Sequence, residues 1–212
     1  MKLSDRQNEI IELVKKSQPI KSNDIAEVLN VNRATIRPDL KILSMMGILE
    51  AKRKVGYFHT GRSLLDILGS YIKTISVMEI QTEPTVVEEN TSIYDGIITM
   101  FTKNAGTLYV VDGKYLSGIV SRKDFIKAMI GRKEVESLPL PLIMTRMPNL
   151  IYIEPTDSVY DAAFKTMEYE VESLPIVSKE LDVKGNERLV LIGKVSRTNI
   201  TRYVVNMGKS KE

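Results

Sequence analysis

The feature that most constrains the fold of this chain is a pattern that occurs twice. Ser92-Ile93-Tyr94-Asp95 returns 66 residues later as Ser158-Val159-Tyr160-Asp161, and the segment 107–111 returns at the same offset as 173–177. The register then slips by nine residues, because the second copy carries a polar insertion around residues 178–187. The C-terminal two thirds is therefore a tandem repeat, and each copy needs its partner to bury an apolar face.

The composition excludes several classes of protein. The 212 residues include no cysteine, which excludes disulfides and thiolate metal sites, and one histidine, His59. The sequence has no phosphate loop of the GxxxxGK type, so the usual hydrolytic and phosphotransfer machinery is missing. No window approaches about 18 uncharged apolar residues, and no signal-peptide core is present. We therefore expect a cytoplasmic protein with no membrane partner, no catalytic residue and no metal site.

The residues before the repeat carry the basic charge of the chain. Residues 1–60 include eleven basic and seven acidic residues, whereas the remainder includes 19 basic and 20 acidic ones. Ser4, Ser22 and Asn32 are positioned to begin three short helices, each with an apolar stripe. The third helix follows a tight turn and begins with Asn, Arg and Thr, which is typical of the helix that enters the major groove in a helix-turn-helix.

A basic hairpin is predicted directly after the third helix. Two short strands, Ile48–Ala51 and Val55–His59, flank Lys52-Arg53-Lys54, as in the wing of a winged helix. This interpretation assigns DNA contacts to Lys21, Asn32, Arg33, Thr35, Arg37, Lys41, Lys52, Arg53 and Lys54. The alternative is a three-helix packing unit that binds no nucleic acid.

Pro38 lies inside the proposed recognition helix. It removes a backbone donor and disfavours helical geometry at Arg37. Either the helix is kinked at this point, or residues 32–37 form a separate turn and the regular helix runs from Pro38 to Met46. Both alternatives keep the polar residues near the leading end of the helix.

The segment Asn32–Leu40 is similar to the recognition helix of bacterial winged-helix repressors of the DeoR type. In those proteins an Ala-Thr-Ile-Arg-x-Asp-Leu string is common, and residues 34–40 follow it here. The resemblance implies sequence-specific binding of double-stranded operator DNA, usually by a dimer on a two-fold site.

Each repeat predicts a strand, a capped helix, two strands and a closing helix. In the first copy these elements are Thr85–Val87, Ser92–Thr102, Leu108–Val111, Ser117–Val120 and Arg122–Ile130. In the second copy they are Ile151–Ile153, Ser158–Tyr169, Leu174–Val177, Leu189–Val195 and Arg197–Val205. This order, with the closing motif Gly-x-Val-Ser-Arg, resembles a CBS module, and two in tandem resemble a Bateman pair.

The CBS resemblance implies adenine-nucleotide sensing in clefts between the modules. Ser121 precedes a helix N-terminus, which favours phosphate, and Asp124 can accept from both ribose hydroxyls. Asn199 replaces that aspartate in the second copy, so we expect the first cleft to be the better ribose site. The implied ligand contacts are Thr82, Pro84, Val86, Thr107, Leu108, Ser121, Arg122, Asp124, Thr145, Ser173, Leu174, Pro175, Ser196, Arg197 and Asn199.

A DeoR-like winged helix followed by a CBS pair resembles the catabolite control protein N family, whose members repress gluconeogenic genes. The resemblance implies an α+β chain with a winged helix-turn-helix domain over 1–61, a linker helix over 62–75, and CBS domains over 76–135 and 136–207. It further implies repression of central-carbon genes by a homodimer or a dimer of dimers. Adenine nucleotide (ATP, ADP or AMP) would be the regulatory ligand.

Two other functions agree with the same residues. The first is a regulatory protein whose CBS pair clasps a metabolic enzyme while the N-terminal helices form the docking surface. The second is a DNA-binding scaffold whose CBS pair only dimerises, because Ser and Asp at a helix start are also ordinary caps.

Overall fold

A computed structural model describes residues 3–130, 137–182 and 185–209 of the chain. These residues divide into two units, Met1–Tyr71 and Ile72–Glu212. The division falls inside the segment 62–75 that the sequence assigns to a linker helix. The expected boundary between the CBS domains, at residues 135 and 136, lies outside the described residues.

The first unit begins with three helices: α1 (Asp5–Ser17), α2 (Ser22–Val28) and α3 (Arg33–Met45). Their starts are the predicted ones. Ser4 Oγ accepts from the Gln7 amide at 3.2 Å, and the Gln7 side chain accepts from the Ser4 amide at 3.0 Å, which forms a capping box. The apolar stripes meet in one core, whose fully buried members are Ile10, Val14, Ile25, Ile36 and Leu43.

Pro38 does not interrupt the third helix. The helix is continuous from Arg33 to Met45, so of the two alternatives the separate turn over residues 32–37 is wrong. Proline removes the amide that would donate to the Ala34 carbonyl. Because Ala34 and Pro38 are both exposed, water can satisfy that carbonyl.

A two-stranded hairpin follows α3 and consists of β1 (Leu49–Lys52) and β2 (Gly56–His59). The hairpin gains a third partner that the sequence did not predict. Ile20, between α1 and α2, pairs with Tyr57, whose amide donates to the Ile20 carbonyl at 2.8 Å. Gly56 makes this approach possible, since a Cβ there would lie 2.6 Å from the Ile20 oxygen.

Helix α4 (Leu64–Ile72) precedes the second unit, which contains one sheet and four helices among its described residues. The sheet has the strand order β3-β4-β5-β7-β6, with β3 parallel to β4 and the other neighbours antiparallel. The strands are β3 (Val86–Glu88), β4 (Thr107–Asp112), β5 (Tyr115–Ser121), β6 (Ser173–Leu181) and β7 (Glu187–Ser196). The helices are α5 (Ile93–Thr102), α6 (Arg122–Met129), α7 (Val159–Glu168) and α8 (Arg197–Gly208).

The predicted first strand of the second repeat is wrong. Residues 151–153 form only a single parallel bridge, between Ile153 and Ile176, where β3 forms a ladder in the first repeat. The backbone leaves the sheet at the next residue, because the Glu154 amide donates to the Asp157 side chain at 3.0 Å. The polar insertion around residues 178–187 lengthens β6 and β7, with residues 183–184 outside the described part of the chain.

The two repeats exchange the segments that precede them. We call residues 75–82 the first leader and residues 138–145 the second leader; each contains one turn of 3-10 helix. In the first leader Ile75, Val77 and Ile80 are buried against α7, β6 and β7 of the second repeat. In the second leader Leu140 is buried against α5, α6, β4 and β5 of the first repeat. Each core therefore needs residues from both copies.

A third apolar cluster joins the repeats directly. Tyr109 is its largest member and is fully buried. The other buried members of this cluster are Leu116, Leu150, Val177 and Leu189. The three clusters together explain why one copy alone is an incomplete unit, as the repeat pattern predicts.

Glycine occupies the point in each repeat where the leader of the other copy crosses the sheet. A Cβ at Gly118 would lie 2.7 Å from both Met144 Sδ and the Thr145 carbonyl oxygen. At the equivalent Gly193 a Cβ would collide with the Gln81 side chain. The glycine of the repeated motif is thus explained by close packing rather than by backbone conformation.

We expect Gly118→Ala to lower the free energy of unfolding by about 1–3 kcal/mol, because the backbone at Thr145 must move away from the new methyl group. Urea unfolding of the full chain, followed by circular dichroism, measures the loss. Gly106→Ala is the matched control, since a Cβ there meets nothing within 4 Å. Equal stability of the two variants would contradict the crossing of the leader at Gly118.

Candidate functional site

The exposed face of α3 carries a stripe of positive charge. Arg33, Arg37 and Lys41 are four residues apart, so their side chains lie on one side of the helix. All three are exposed, and within the described residues none forms an ion pair. This stripe is able to meet the phosphates and base edges of duplex DNA without first breaking an internal contact.

Two of the predicted DNA contacts also stabilise the helix start. Asn32 Oδ1 accepts from the Thr35 amide and from the Thr35 hydroxyl, both at 2.9 Å. The amide oxygen of Asn32 is therefore committed to capping, as is the proton of the Thr35 hydroxyl. What remains available to DNA is the amino group of Asn32 and the methyl group of Thr35.

The hairpin presents its basic residues at the turn. Lys52, Arg53 and Lys54 are exposed, and Lys54 has a left-handed φ of 65° that closes the turn. Lys52 Nζ lies 4.8 Å from the centre of the Phe58 ring and 3.9 Å from a Glu50 carboxylate oxygen. Lys21, the residue before α2, is also exposed. The predicted DNA residues are thus all at least partly accessible.

A buried carboxylate anchors the recognition helix to α1. Asp39 is 5% exposed; its Oδ2 accepts from Arg6 Nε at 2.7 Å, and its Oδ1 accepts from Gln7 Nε2 at 3.0 Å. Because Asp39 lies one turn beyond Thr35, this contact holds the leading half of α3. Sequence reasoning missed this role; the signal was an aspartate between the apolar positions Ile36 and Leu40.

We expect Asp39→Asn to lower the local unfolding free energy of α1 and α3 by about 1–2 kcal/mol, because one charge-assisted hydrogen bond to a part-exposed arginine is lost. Native-state hydrogen exchange of these amides in the intact chain measures it. The control is Glu12→Gln, which removes an exposed pair with Lys15 on the same helix and should change little. Unaltered exchange in Asp39→Asn would contradict the anchoring role.

The first cleft lies at the end of β5. The backbone amide and the hydroxyl of Ser121 donate to Asp124 Oδ2 at 2.8 and 2.6 Å, which makes a capping box at the start of α6. Asp124 Oδ1 receives no hydrogen bond within the described chain. The second leader lies beside this site, because Thr145 and Ile119 exchange backbone hydrogen bonds of 2.9 Å. Asp124 and Lys127 also line a small cavity of about 180 Å³.

The second cleft repeats this construction with different side chains. The Ser196 amide donates to Asn199 Oδ1 at 3.0 Å, and the Ser196 hydroxyl donates to the same oxygen. The first leader lies beside this site, because Thr82 exchanges backbone hydrogen bonds with Lys194. The leaders are exchanged, so Thr82 joins the cleft of the second repeat and Thr145 that of the first.

A buried polar network lies where the repeats meet. Tyr109 Oη and Ser173 Oγ are 2.9 Å apart, and Ser173 Oγ donates to Thr107 Oγ1 at 3.1 Å. Thr107 and Ser173 are equivalent positions of the two copies. Burial raises the pKa of the Tyr109 phenol, so the hydroxyl stays protonated. Thr107 and Ser173, which the sequence predicts as ligand contacts, therefore already have hydrogen-bond partners within the protein.

The remaining predicted ligand residues differ in exposure. Leu108 and Leu174 are fully buried, in the first and second repeat cores respectively, so only their backbone is available to a ligand. Pro175 is buried and faces Lys194 across β6 and β7. Pro84 is half-buried and Val86 is exposed on β3.

The two arginines of the repeated motif contact the protein. Arg122 Nη2 donates to the Ala105 carbonyl at 3.4 Å. Arg197 Nη2 donates to the Thr166 carbonyl at 2.9 Å, and its Nη1 lies 3.6 Å from a Glu172 carboxylate oxygen. Both terminal nitrogens of Arg197 are therefore engaged, whereas its buried Nε has no hydrogen-bond partner among the described residues.

Two further classes of site find no support in the parts of the chain that the structure describes. There, no three side chains of the His, Asp and Glu type come together as a metal site would require. No helix among the same residues has the length and hydropathy needed to cross a membrane.

Comparisons with known proteins agree with this division of the chain. Residues 6–58 match the HTH domain family, and residues 76–131 and 136–206 each match the CBS domain family. The transcriptional repressor CcpN of Bacillus subtilis (strain 168) is 43% identical over 212 residues, which covers 100% of this chain and 98% of that protein. The chain belongs to the CcpN family of transcriptional repressors. The resemblance to the catabolite control protein N family is thereby confirmed.

Solved structures confirm the CBS pair of this family member. A signal-transduction protein with CBS domains from Burkholderia ambifaria MC40-6 is 27% identical, with a TM-score of 0.51 over 64% of this chain and 98% of that one. Two further pairs share the fold. CBSX2 in complex with AMP is 23% identical, with a TM-score of 0.51 over 64% and 99% of the chains. The pair of MJ0100 with 5′-methylthioadenosine and S-adenosylmethionine is 24% identical, with a TM-score of 0.51 over 64% and 98%.

Proposed function

We propose that this chain represses transcription by binding duplex operator DNA through α3 and the hairpin turn, and that an adenine nucleotide in the CBS pair controls this binding. The observation that carries the proposal is the exposed stripe of Arg33, Arg37 and Lys41, which forms no ion pair with any residue that the structure describes. Membership of a repressor family supports it. Following the family, the regulated genes are gluconeogenic genes of central carbon metabolism, the protein acts in the cytoplasm and it catalyses no reaction.

The residues of the DNA-binding face divide into two groups with different expected effects. Arg33 and Arg37 lie in the first half of α3, where bidentate contacts to guanine are made. The residues of the hairpin turn, Lys52–Lys54, are suited to phosphate contacts, which carry no sequence information.

We expect Arg37→Ala to weaken operator binding by about 1–3 kcal/mol and to relax the preference at one base pair. Lys54→Ala should weaken all duplexes alike and should lower the slope of log K against log salt by about one. Fluorescence anisotropy with operator and scrambled duplexes, at several salt concentrations, separates the two effects.

The same titrations distinguish repression from the alternative of docking on an enzyme. An N-terminal unit that docks on an enzyme would show no salt-dependent duplex binding. Equal losses on operator and scrambled duplexes in Arg37→Ala would show that Arg37 does not read a base.

The nucleotide part of the proposal rests on the clefts of this chain. Asp124 Oδ1 accepts from no donor in the described parts of the chain, so a ribose hydroxyl can donate to it without breaking the capping box. CBSX2 with AMP and the MJ0100 pair with S-adenosylmethionine share the fold of this pair, which supports an adenosine compound as the ligand. ATP and ADP would act in opposite directions, because they share adenosine and differ in phosphate charge.

We expect Asp124→Asn to weaken adenine-nucleotide binding by about tenfold, the value of a charge-assisted hydrogen bond, while the fold is kept. Asparagine preserves the cap, as Asn199 does in the second repeat. Asp161→Asn is the matched control, since Asp161 makes the same cap with Ser158 at the start of α7. Calorimetry that gives equal nucleotide affinities for Asp124→Asn and wild type would remove Asp124 from the site.

The proposal includes a homodimer or a dimer of dimers. Several large apolar side chains are exposed on the helices of the second unit, including Phe101 on α5, Phe164 and Met167 on α7, and Ile126 on α6. A dimer interface would bury side chains of this kind. A two-fold dimer would also supply the two recognition helices that a palindromic operator needs.

A further inference from the structure

Lys194 is placed by the structure among the residues of the second cleft. Its backbone exchanges hydrogen bonds with Thr82 of the first leader, at 2.9 and 3.0 Å. Its partner on the neighbouring strand β6 is Pro175. The next residue, Val195, is fully buried in the core of the second repeat. Because successive strand residues alternate, Lys194 faces the other way, on the same side of β7 as Ser196.

Among the described residues, no carboxylate partners the charge of Lys194. The side chain is half-buried, yet no carboxylate of the described residues lies within 4.0 Å of its ammonium group. Burial accordingly lowers the pKa of Lys194. Lys165, a part-buried lysine of the same repeat, shows the usual arrangement: its Nζ donates to the Tyr152 carbonyl at 3.0 Å and pairs with Asp157 at 3.3 Å. A half-buried cation without a partner gains more from an anionic ligand than a fully hydrated cation does.

The first cleft has no equivalent of this cation. The residue that corresponds to Lys194 is Ile119, which packs against the apolar cluster around Tyr109. Over the aligned motifs the other differences are Lys123 against Thr198 and Asp124 against Asn199. Over these three positions the second cleft is therefore more positive than the first by one charge.

Most other donors near the second cleft are already engaged, and Arg197 Nε, which has no partner among the described residues, is buried away from the surface. Arg197 contacts Glu172 and the Thr166 carbonyl, and its amide donates to the Glu172 carbonyl at 3.1 Å. The Ser196 amide is held by Asn199 at 3.0 Å. Lys194 is thus the side chain from which an anionic group in this cleft would gain most.

We propose that Lys194 binds a phosphate group of the ligand and makes the second cleft selective for phosphate-bearing nucleotides. The first cleft, which has the apolar Ile119 at the equivalent position and a carboxylate at Asp124, recognises the ribose and selects less strongly for phosphate. This inference rests on the proposed control by adenine nucleotides. The second cleft, in which Asn199 is a weaker acceptor for ribose than Asp124, would therefore discriminate between nucleotides by their phosphate groups.

The test is calorimetric titration of the full-length Lys194→Met variant with ATP and with adenosine. Methionine keeps the length and the apolar stem of the lysine and removes only the charged group. We expect ATP affinity at the second cleft to fall by about tenfold, the lower end for a hydrogen bond to a charged group, since the site is half-exposed. Adenosine affinity should stay the same.

Lys179→Met is the matched control. Lys179 lies on the neighbouring strand β6, is exposed, and changes the net charge equally, but it pairs with Glu154 and Glu187 away from the cleft. ATP affinity should equal that of wild type in this variant. A similar loss in both variants would overturn the inference, because it would show an effect of net charge alone.

The outcomes for this inference and for the proposed function are separable. Equal ATP affinity in wild type and Lys194→Met, or an equal loss for adenosine, overturns the role of Lys194 and leaves nucleotide control intact. A selective loss of ATP affinity, together with operator binding that ATP does not change, supports Lys194 and contradicts nucleotide control. Absence of any ATP binding by wild type overturns both.

Discussion

The exchange of leaders between the two repeats is the interaction on which the rest of the second unit depends. Ile75, Val77 and Ile80 complete the core of the second repeat, and Leu140 completes the core of the first. Burying a side chain of this size contributes about 1.5–3 kcal/mol, which is a large fraction of the stability of a domain. Neither repeat can keep its core if the other unfolds, so the pair folds as one cooperative body. The clefts inherit this dependence, since each is bordered by the leader of the other copy.

The two repeats share the residues that stabilise the fold and differ in residues that face the clefts. Both copies keep the cap Ser-x-x-Asp or Ser-x-x-Asn, in which the third residue after the serine holds the backbone amide and hydroxyl of that serine. Both also keep the glycine at the crossing and an arginine that donates to a backbone carbonyl, that of Ala105 just after α5 or that of Thr166 in α7. What differs is the chemistry facing the clefts, where Ile119 and Asp124 correspond to Lys194 and Asn199. A cap needs only an acceptor oxygen, so either a charged Asp124 or a neutral Asn199 can form it.

Much of this architecture could be predicted from the sequence because its signals are local. Caps at Ser4, Asn32 and Ser158, helical periodicity, and a repeat offset of 66 residues need no knowledge of distant contacts. The failures arose where distant residues decide the local conformation. The strand expected at 151–153 is reduced to one bridge because Asp157 turns the chain, and the pairing of Ile20 with Tyr57 joins residues far apart in sequence.

The candidate sites show the same limit. Residue type and helix position were enough to predict the stripe of Arg33, Arg37 and Lys41. Lys194 was overlooked because the repeat alignment places it at an apolar position, and only the alternation of β7 and the exchange of the first leader bring it to the cleft. Thr107 and Ser173 were predicted as separate ligand contacts. In the structure they donate to or accept from one another across the junction of the repeats.

Control of DNA binding by a ligand requires a physical route from the clefts to the N-terminal unit. The first leader borders the second cleft at Thr82 and continues in sequence from α4. In that helix Ile67 packs against the core of the first unit, and Ile72 packs against the core of the second repeat. A phosphate held by Lys194 would therefore act on the first leader, which is the part of the second unit nearest in sequence to the DNA-binding unit. Linkage then sets a condition on any such effect: a nucleotide that changes operator affinity by some factor must have its own affinity changed by the same factor when operator is bound.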